Sequence, residues 1–227
     1  MKVYLELADI ALMEKVANSQ RDRLLIRLLS RLGCRISEAL ALKVKDVDFE
    51  QKTVTILHLK RIIKVSCPRC KARLGIRHQY CPVCGVRVNE TIRRQQERKR
   101  IRVLPIDRRS VEMLRQYLGQ SKLCVDSDEP LFRLNRHRAW QIIRDCAREA
   151  KLTDLVNSET GRTRGISPHR LRDAFSVHAM KLDDSGDGLR LLQEHLGHVS
   201  FNTTAKYRKI AGEEHREWYN RLWDNTA

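Results

Sequence analysis

Two Cys-x-x-Cys knuckles, Cys67-Pro68-Arg69-Cys70 and Cys81-Pro82-Val83-Cys84, stand ten residues apart and constrain this chain more than any other feature. Four thiolates at that spacing can converge on one tetrahedral Zn²⁺, with Zn–S bonds of about 2.3 Å. Pro68, Pro82 and Gly85 suit the tight turns that each knuckle needs. The alternative, a pair of disulfides, requires an oxidising compartment. The opening MKVYLELADIALMEK lacks the apolar core of a signal peptide, and no apolar run is long enough to span a bilayer. A structural zinc held by Cys67, Cys70, Cys81 and Cys84 is therefore expected, in a cytoplasmic protein. His78 lies between the knuckles, but four thiolates already complete the shell. Cys34, Cys124 and Cys146 stand alone and read as buried small hydrophobes.

Periodicity places this module within a larger domain. Asp22 to Gly33 (DRLLIRLLSRLG) repeats apolar residues at helical spacing and stops at a glycine. A short helix follows over Ile36 to Leu42. Asp46–Phe49 and Thr53–Leu57 read as strands around a polar turn at Glu50-Gln51-Lys52, and Ile101–Pro105 reads as a third. Helical patterns dominate afterwards, over roughly 108–119, 137–150, 169–181, 189–196, 201–210 and 213–223. The expectation is a mainly α (α+β) domain over 1–227. It carries a small three-stranded antiparallel sheet, with a zinc ribbon at 65–90 inserted between the second and third strands.

Charge narrows the partner. Forty-five Lys and Arg against 28 Asp and Glu leave +17, which attracts polyanions. Arg93, Arg94, Arg98, Lys99, Arg100 and Arg102 form a dense run approaching the third strand. A solvated surface is the bland account of that run. Neutralisation by a phosphate backbone, with counterion release, accounts better for like charges this close. No aromatic interleaving marks a single-strand stacking platform, so double-stranded DNA is expected as the partner, and no membrane.

Three scattered segments carry chemistry. Arg35 opens a helix in Gly33-Cys34-Arg35-Ile36-Ser37-Glu38. Pro168 begins another in Ser167-Pro168-His169-Arg170-Leu171-Arg172, where His169 and Arg172 are three apart and share a face. Leu196-Gly197-His198 precedes a helix that carries Tyr207, with Ser200 as a candidate N-cap. Each piece alone is weak, because a lone Arg is usually a surface charge and a lone Tyr at helical spacing is usually core. Together they supply what phosphoryl transfer needs. Two guanidiniums suit the charge gathering on the non-bridging oxygens, and His198 can add a hydrogen bond. A phenol of pKa about 10 needs nearby cations and a base such as His169. A lysine can protonate the leaving alkoxide.

In these segments the chain resembles the catalytic domain of the tyrosine recombinases, the phage-integrase family, of the Xer-like kind. RLGCRISEALALKVKDVDF resembles the first arginine motif, SPHRLRDAFSVHAM the His-x-x-Arg motif, and LQEHLGHVSFNTTAKYRKI the terminal Leu-Gly-His to Tyr motif. The likeness runs from about Leu5 to Leu222 apart from the insert. It implies phosphate-clamping roles for Arg35 and Arg172, site roles for His169 and His198, a buttress in Glu38, and Tyr207 as nucleophile. The catalytic lysine falls on Lys60, with Lys64 and Lys99 as rivals because the insert lengthens that hairpin. The implied activity is site-specific recombination or integration through a 3′-phosphotyrosyl intermediate, without ATP or a catalytic metal. A type IB topoisomerase or a catalytically idle DNA-binding protein are the alternatives.

The family usually carries an N-terminal helical core-binding domain, and none is expected within residues 1–227. The zinc ribbon is unusual at its position and could grip DNA or contact another protomer. The segment Glu213 to Trp223 places Trp218 and Leu222 on one face. In the family such a helix often packs into a neighbouring protomer, which implies self-association on DNA; docking on its own core is the alternative. A nucleoid-associated protein of prokaryotic or mobile-element origin is implied.

Overall fold

A computed structural model describes residues 2–57, 65–75, 78–88, 101–121, 124, 127–157, 160–198 and 201–209. Lys60, Lys64, Arg93, Arg94, Arg98, Lys99, Arg100, Ser200 and the helix expected over Glu213–Trp223 lie outside these residues. By their internal contacts the residues form two compact units, one of Met1–Ile56 with Arg102–Ala227 and the other of Leu57–Ile101.

The larger unit is built around one helix. Ser19 accepts a hydrogen bond from the Asp22 N–H at 3.1 Å and starts α2 (Gln20–Leu32). Gly33, at φ +54°, closes it in the left-handed region. Between these caps Leu24, Leu25, Ile26, Leu28, Leu29 and Leu32 are fully buried. Burying each such side chain is worth about 1.5–3 kcal/mol, so α2 nucleates the core. It packs against α1 (Leu7–Val16), α3 (Ile36–Leu40), α4 (Arg108–Ser121) and α6 (Pro168–Leu182). The sequence did not announce α1, because its apolar residues point both ways: Ile10 and Met13 are buried while Leu7 and Leu12 are exposed.

The remaining helices of this unit are α5 (Arg136–Glu149), α7 (Gly186–Leu196) and α8 (Phe201–Lys209), and α6, α7 and α8 pack on one another. Boundaries move by a residue or two from expectation, most at α7, where Ser185 caps three residues early across a glycine-containing turn by accepting the Gly188 N–H. The small sheet has the order β1 (Val47–Asp48), β2 (Thr53–Leu57), β5 (Ile101–Pro105). β1 and β2 are antiparallel with Val47 opposite Val54. The first expected strand is shorter than its pattern, because Val44–Asp46 forms a 3-10 turn in which Asp46 accepts the Lys43 N–H at 2.8 Å. A hairpin of β6 (Leu155–Val156) and β7 (Thr163–Arg164) was not anticipated. Of the three isolated cysteines, Cys34 and Cys146 are buried as expected, whereas Cys124 is exposed.

The smaller unit holds two knuckles of one construction. The Cys67 N–H bonds the Ala72 carbonyl and the Lys71 N–H returns to Cys67; the Cys81 N–H bonds Val86 and the Gly85 N–H returns to Cys81. The fourth residue after each leading cysteine takes a positive φ, +61° at Lys71 and +70° at Gly85. Seven residues after each leading cysteine a buried side chain, Leu74 or Val88, seals a small core. A short hairpin of β3 (Val65–Ser66) and β4 (Arg73–Leu74) extends the first knuckle.

Candidate active site

Arg172 is the centre of the candidate site. Pro168 sits at the first position of α6, where its missing N–H costs nothing, and Arg172 follows one turn on. The residue as a whole is only 2% exposed. Nη1 donates to the Gly33 carbonyl at 2.6 Å, and Nη2 donates to the Leu196 carbonyl and to His198 Nε2, both at 2.9 Å. Gly33 and Leu196 lie at the C-terminal ends of α2 and α7, where unpaired carbonyls carry partial negative charge. Both helices end in a left-handed glycine, a backbone conformation in which any side chain is strained. A Cβ on Gly33 would lie 2.5 Å from Phe175, and one on Gly197 would lie 3.1 Å from Arg102 Nε.

A second group of charges surrounds Glu38. Arg35 caps α3, and its backbone N–H and Nη1 each reach a Glu38 oxygen at 2.9 Å. Arg102, on β5, donates from Nη2 to Glu38 at 2.9 Å and from Nη1 to the His195 carbonyl. Burial pushes the Glu38 carboxyl up, but the Arg35 N–H and the guanidiniums of Arg102 and Arg35 outweigh it and hold the carboxyl below its usual range. His195 donates from Nε2 to the Leu32 carbonyl at 3.1 Å and stacks on Phe175.

His198 is neutral and its tautomer is set. A guanidinium only donates, so Nε2 accepts from Arg172 and Nδ1–H faces Thr204 Oγ1 at 2.9 Å. Burial, and then the charges of Arg172, Arg35 and Arg102, pull its pKa down to about 4. In this state Nε2 is committed to Arg172, so the hydrogen bond that His198 was expected to give a phosphate requires an exchange of partners.

Tyr207 lies with its ring nearly parallel to His198, 6.5 Å between centroids at 14°. It packs among Val177, Met180, Leu189, Leu192 and Leu196 and is 8% exposed. Its hydroxyl donates to Asp173 Oδ1 at 3.0 Å, not to His169. Burial, together with the Asp173 charge and that hydrogen bond, pushes the phenol up to about 12. The ionisation expected from neighbouring cations is thus reversed in this state. His169, although three residues from Arg172, has a side chain 68% exposed, with Nε2 3.6 Å from Asp173.

Arg35, Glu38, Arg172, His198 and Tyr207 therefore come together, with His169 at the rim. Arg102, Asp173, His195 and Thr204 also belong here and were not singled out. The basic run before the third strand masks Arg102, although the two-residue strand period puts it on the same face as the buried Leu104. Asp173 had only its adjacency to Arg172 as a signal.

The four knuckle cysteines form a separate site. Their sulfur atoms all lie within 4.8 Å of one another, and among the described residues they are the one such group that could hold a metal. Cys67 and Cys84 approach to 3.4 Å and Cys70 and Cys81 to 3.5 Å, and none of the four is in a disulfide. The Cys70 N–H, against burial, and then the Arg69 N–H bring the Cys67 thiol down to about 6.

The phage integrase family model matches residues 5–214. The chain is 30% identical over 219 residues to the tyrosine recombinase XerC of Roseiflexus castenholzii, covering 92% of this chain and 53% of that protein. It is 28% identical to the tyrosine recombinase XerD of Mycobacterium leprae, covering 92% of this chain and 56% of that one. It thus spans about half the length of the curated relatives it matches. Among solved structures, the XerA recombinase superposes with a TM-score of 0.63 at 21% identity, covering 98% of this chain and 66% of that one. The XerH site-specific recombinase bound to palindromic difH substrate gives 0.63 at 22% identity, covering 98% and 53%. The mainly helical unit with its small sheet has the fold of these recombinases, and no described helix is long and apolar enough to cross a membrane. The chain belongs to the phage integrase family.

Proposed function

We propose that this chain cuts and rejoins double-stranded DNA as a site-specific recombinase or integrase, with Tyr207 as its nucleophile. The observation that carries it is the convergence of Arg172, buried and bonded to His198, with the ring of Tyr207 stacked beside that histidine. In the reaction, Tyr207 Oη bonds to the scissile phosphorus as the bond from phosphorus to the 5′-oxygen breaks. The phenol proton leaves to a base, and the 5′-oxygen takes a proton from an acid, for which Lys60 is the candidate, ahead of Lys64 and Lys99. Attack by a 5′-hydroxyl then reverses the step. One phosphodiester is exchanged for another, so no ATP is consumed and no catalytic metal is invoked.

Arg172 and Arg35 hold the non-bridging oxygens. Such preorganised donors stabilise charge as it develops, because they need no reorganisation at the moment of reaction. Glu38 orients Arg35 and Arg102. His169, at the rim, is the candidate base once Tyr207 is free. Zinc is the metal that best fits four thiolates in paired knuckles, where it would hold the smaller unit together. The basic residues Arg93, Arg94, Arg98, Lys99 and Arg100 are proposed to contact DNA phosphates, and the segment Glu213–Trp223 to join protomers on DNA. A cytoplasmic, nucleoid-associated location accords with this role.

The test is a randomised duplex carrying 5′-bridging phosphorothiolates, which release a thiolate that cannot religate. A covalent protein–DNA adduct is expected with the natural chain and none with Tyr207→Phe. An adduct of equal yield from the Tyr207→Phe variant would remove Tyr207 from the role.

A further inference from the structure

We propose that Asp173 is a positioning residue that holds Tyr207 in the DNA-free protein, committing the nucleophilic oxygen to a hydrogen bond that attack on phosphate must break. This inference rests on the reading of Tyr207 as nucleophile and adds a resting state to it.

Asp173 follows Arg172 on α6 and is aimed by its neighbours. Oδ2 accepts from Arg170 Nη1 at 2.9 Å, which fixes the carboxylate plane, and Oδ1 accepts from the Tyr207 hydroxyl at 3.0 Å. The phenol has one proton to donate, and this acceptor takes it. A carboxylate beside a phenol disfavours the phenolate by like charge and by hydrogen bonding to the neutral form. Burial of Tyr207 among leucines acts in the same direction. Carboxylates are far weaker bases than phenolates, so the contact restrains the proton and does not remove it.

The rest of the site is consistent with a resting state. His198 Nε2 is occupied by Arg172 and Nδ1 by Thr204, so the imidazole has no nitrogen left for a phosphate. The side chain placed to take over the Asp173 carboxylate is His169, with Nε2 at 3.6 Å from the same Oδ1. A DNA phosphate drawing on Arg172 and His198 would loosen the packing that keeps Tyr207 against Asp173.

Asp173→Asn keeps the shape and removes the charge. In single-turnover reactions with the randomised phosphorothiolate duplex, adduct formation should rise about tenfold, as expected for a drop of one unit in the phenol pKa at fixed pH. Its pH–rate profile should shift to lower pH. A slower reaction with an unshifted profile would overturn the latch and make Asp173 a scaffold. A slower reaction that loses its acid limb would overturn it too, by making Asp173 the base.

A measurement on the natural chain guards against a variant that fails to fold. Near pH 10 an ordinary tyrosine is half ionised. The tyrosinate absorbance of the natural DNA-free protein should there equal that of Tyr207→Phe, because Tyr207 stays protonated. A full half-residue difference between the two would overturn the latch without any DNA. If the natural chain forms no adduct, recombination is in doubt, but a half-residue difference in this titration still overturns the latch. If it forms a Tyr207-dependent adduct and Asp173→Asn shows no gain, the latch alone fails.

Discussion

Arg27 and Arg172 are two buried arginines, 4% and 2% exposed, on helices that pack against each other. They are satisfied in opposite ways. Arg27 Nη1 lies 3.3 Å from Glu14, Nη2 lies 2.7 Å from Asp107, and Nε donates to Ser110 at 2.9 Å. Its charge is neutralised by two carboxylates. Arg172 is held by two helix-terminal carbonyls and a neutral imidazole, and no carboxylate among the described residues pairs with it. A buried cation that is hydrogen-bonded but not neutralised keeps its field for an incoming anion. Burial depth alone therefore does not mark a functional arginine; the charge of its partners does.

The largest expected effect breaks this contrast at the site. Arg172→Lys keeps a positive charge but loses the planar fork that reaches Gly33, Leu196 and His198 and that is proposed to hold a phosphate. Removing preorganised donors of this kind costs about a thousandfold in the cleavage step, which is about 4 kcal/mol. Adduct yield per folded molecule from the phosphorothiolate duplex should fall by that factor, beyond the stability lost from the helix-end carbonyls left unpaired. A variant with normal cleavage would show that Arg172 serves only the fold.

Arg27→Met tests the other arginine. It leaves Glu14 buried without its cation, a change that destabilises by about 3 kcal/mol at the lower end for broken buried pairs, since Asp107 is partly exposed. Urea denaturation should show this loss, with little change in cleavage by the fraction still folded. A cleavage defect as deep as that of Arg172→Lys would erase the distinction between the two.

The sequence carried the ends of these helices better than their surroundings. Gly33 was legible as a stop because a glycine readily takes the left-handed conformation that closes a helix, and Pro168 as a start because its ring suits a first turn. The conjunction of Arg35, His169, Arg172, His198 and Tyr207 was legible as chemistry through the motifs that carry them. Helix α1 was not, since its apolar residues face both core and solvent. Asp173 was not legible either, because its partner Tyr207 is 34 positions away and nothing local predicts a phenol over that turn of helix. Arg102 was hidden in a run of like charges whose burial depends on tertiary contacts with Glu38 and the α7 end.

Acid separates the two arginine clusters by the pH at which each weakens. His198 stays neutral in the folded chain down to about 4. In the unfolded chain it takes a proton below about pH 6.5. Between these values the unfolded state binds more protons, so stability falls as pH falls through that window. His195, lowered chiefly by burial, acts in the same direction. Because His198 is partly exposed, solvent screening reduces its share to about 1 kcal/mol. Asp107 behaves differently: burial opposes ionisation, but hydrogen bonds from Ser110 and Arg27 hold its pKa below the usual value. Its contribution is present above about pH 4 and is lost only as pH falls through the folded value. Glu38, lowered likewise, adds to this acid limb from the site side. Stability curves between pH 7 and 3 should therefore flatten in their upper part for His198→Gln and only in their lower part for Asp107→Asn. An unchanged upper slope in His198→Gln would mean that the imidazole beside Arg172 is free to protonate, and with it that Arg172 does not keep its charge uncompensated.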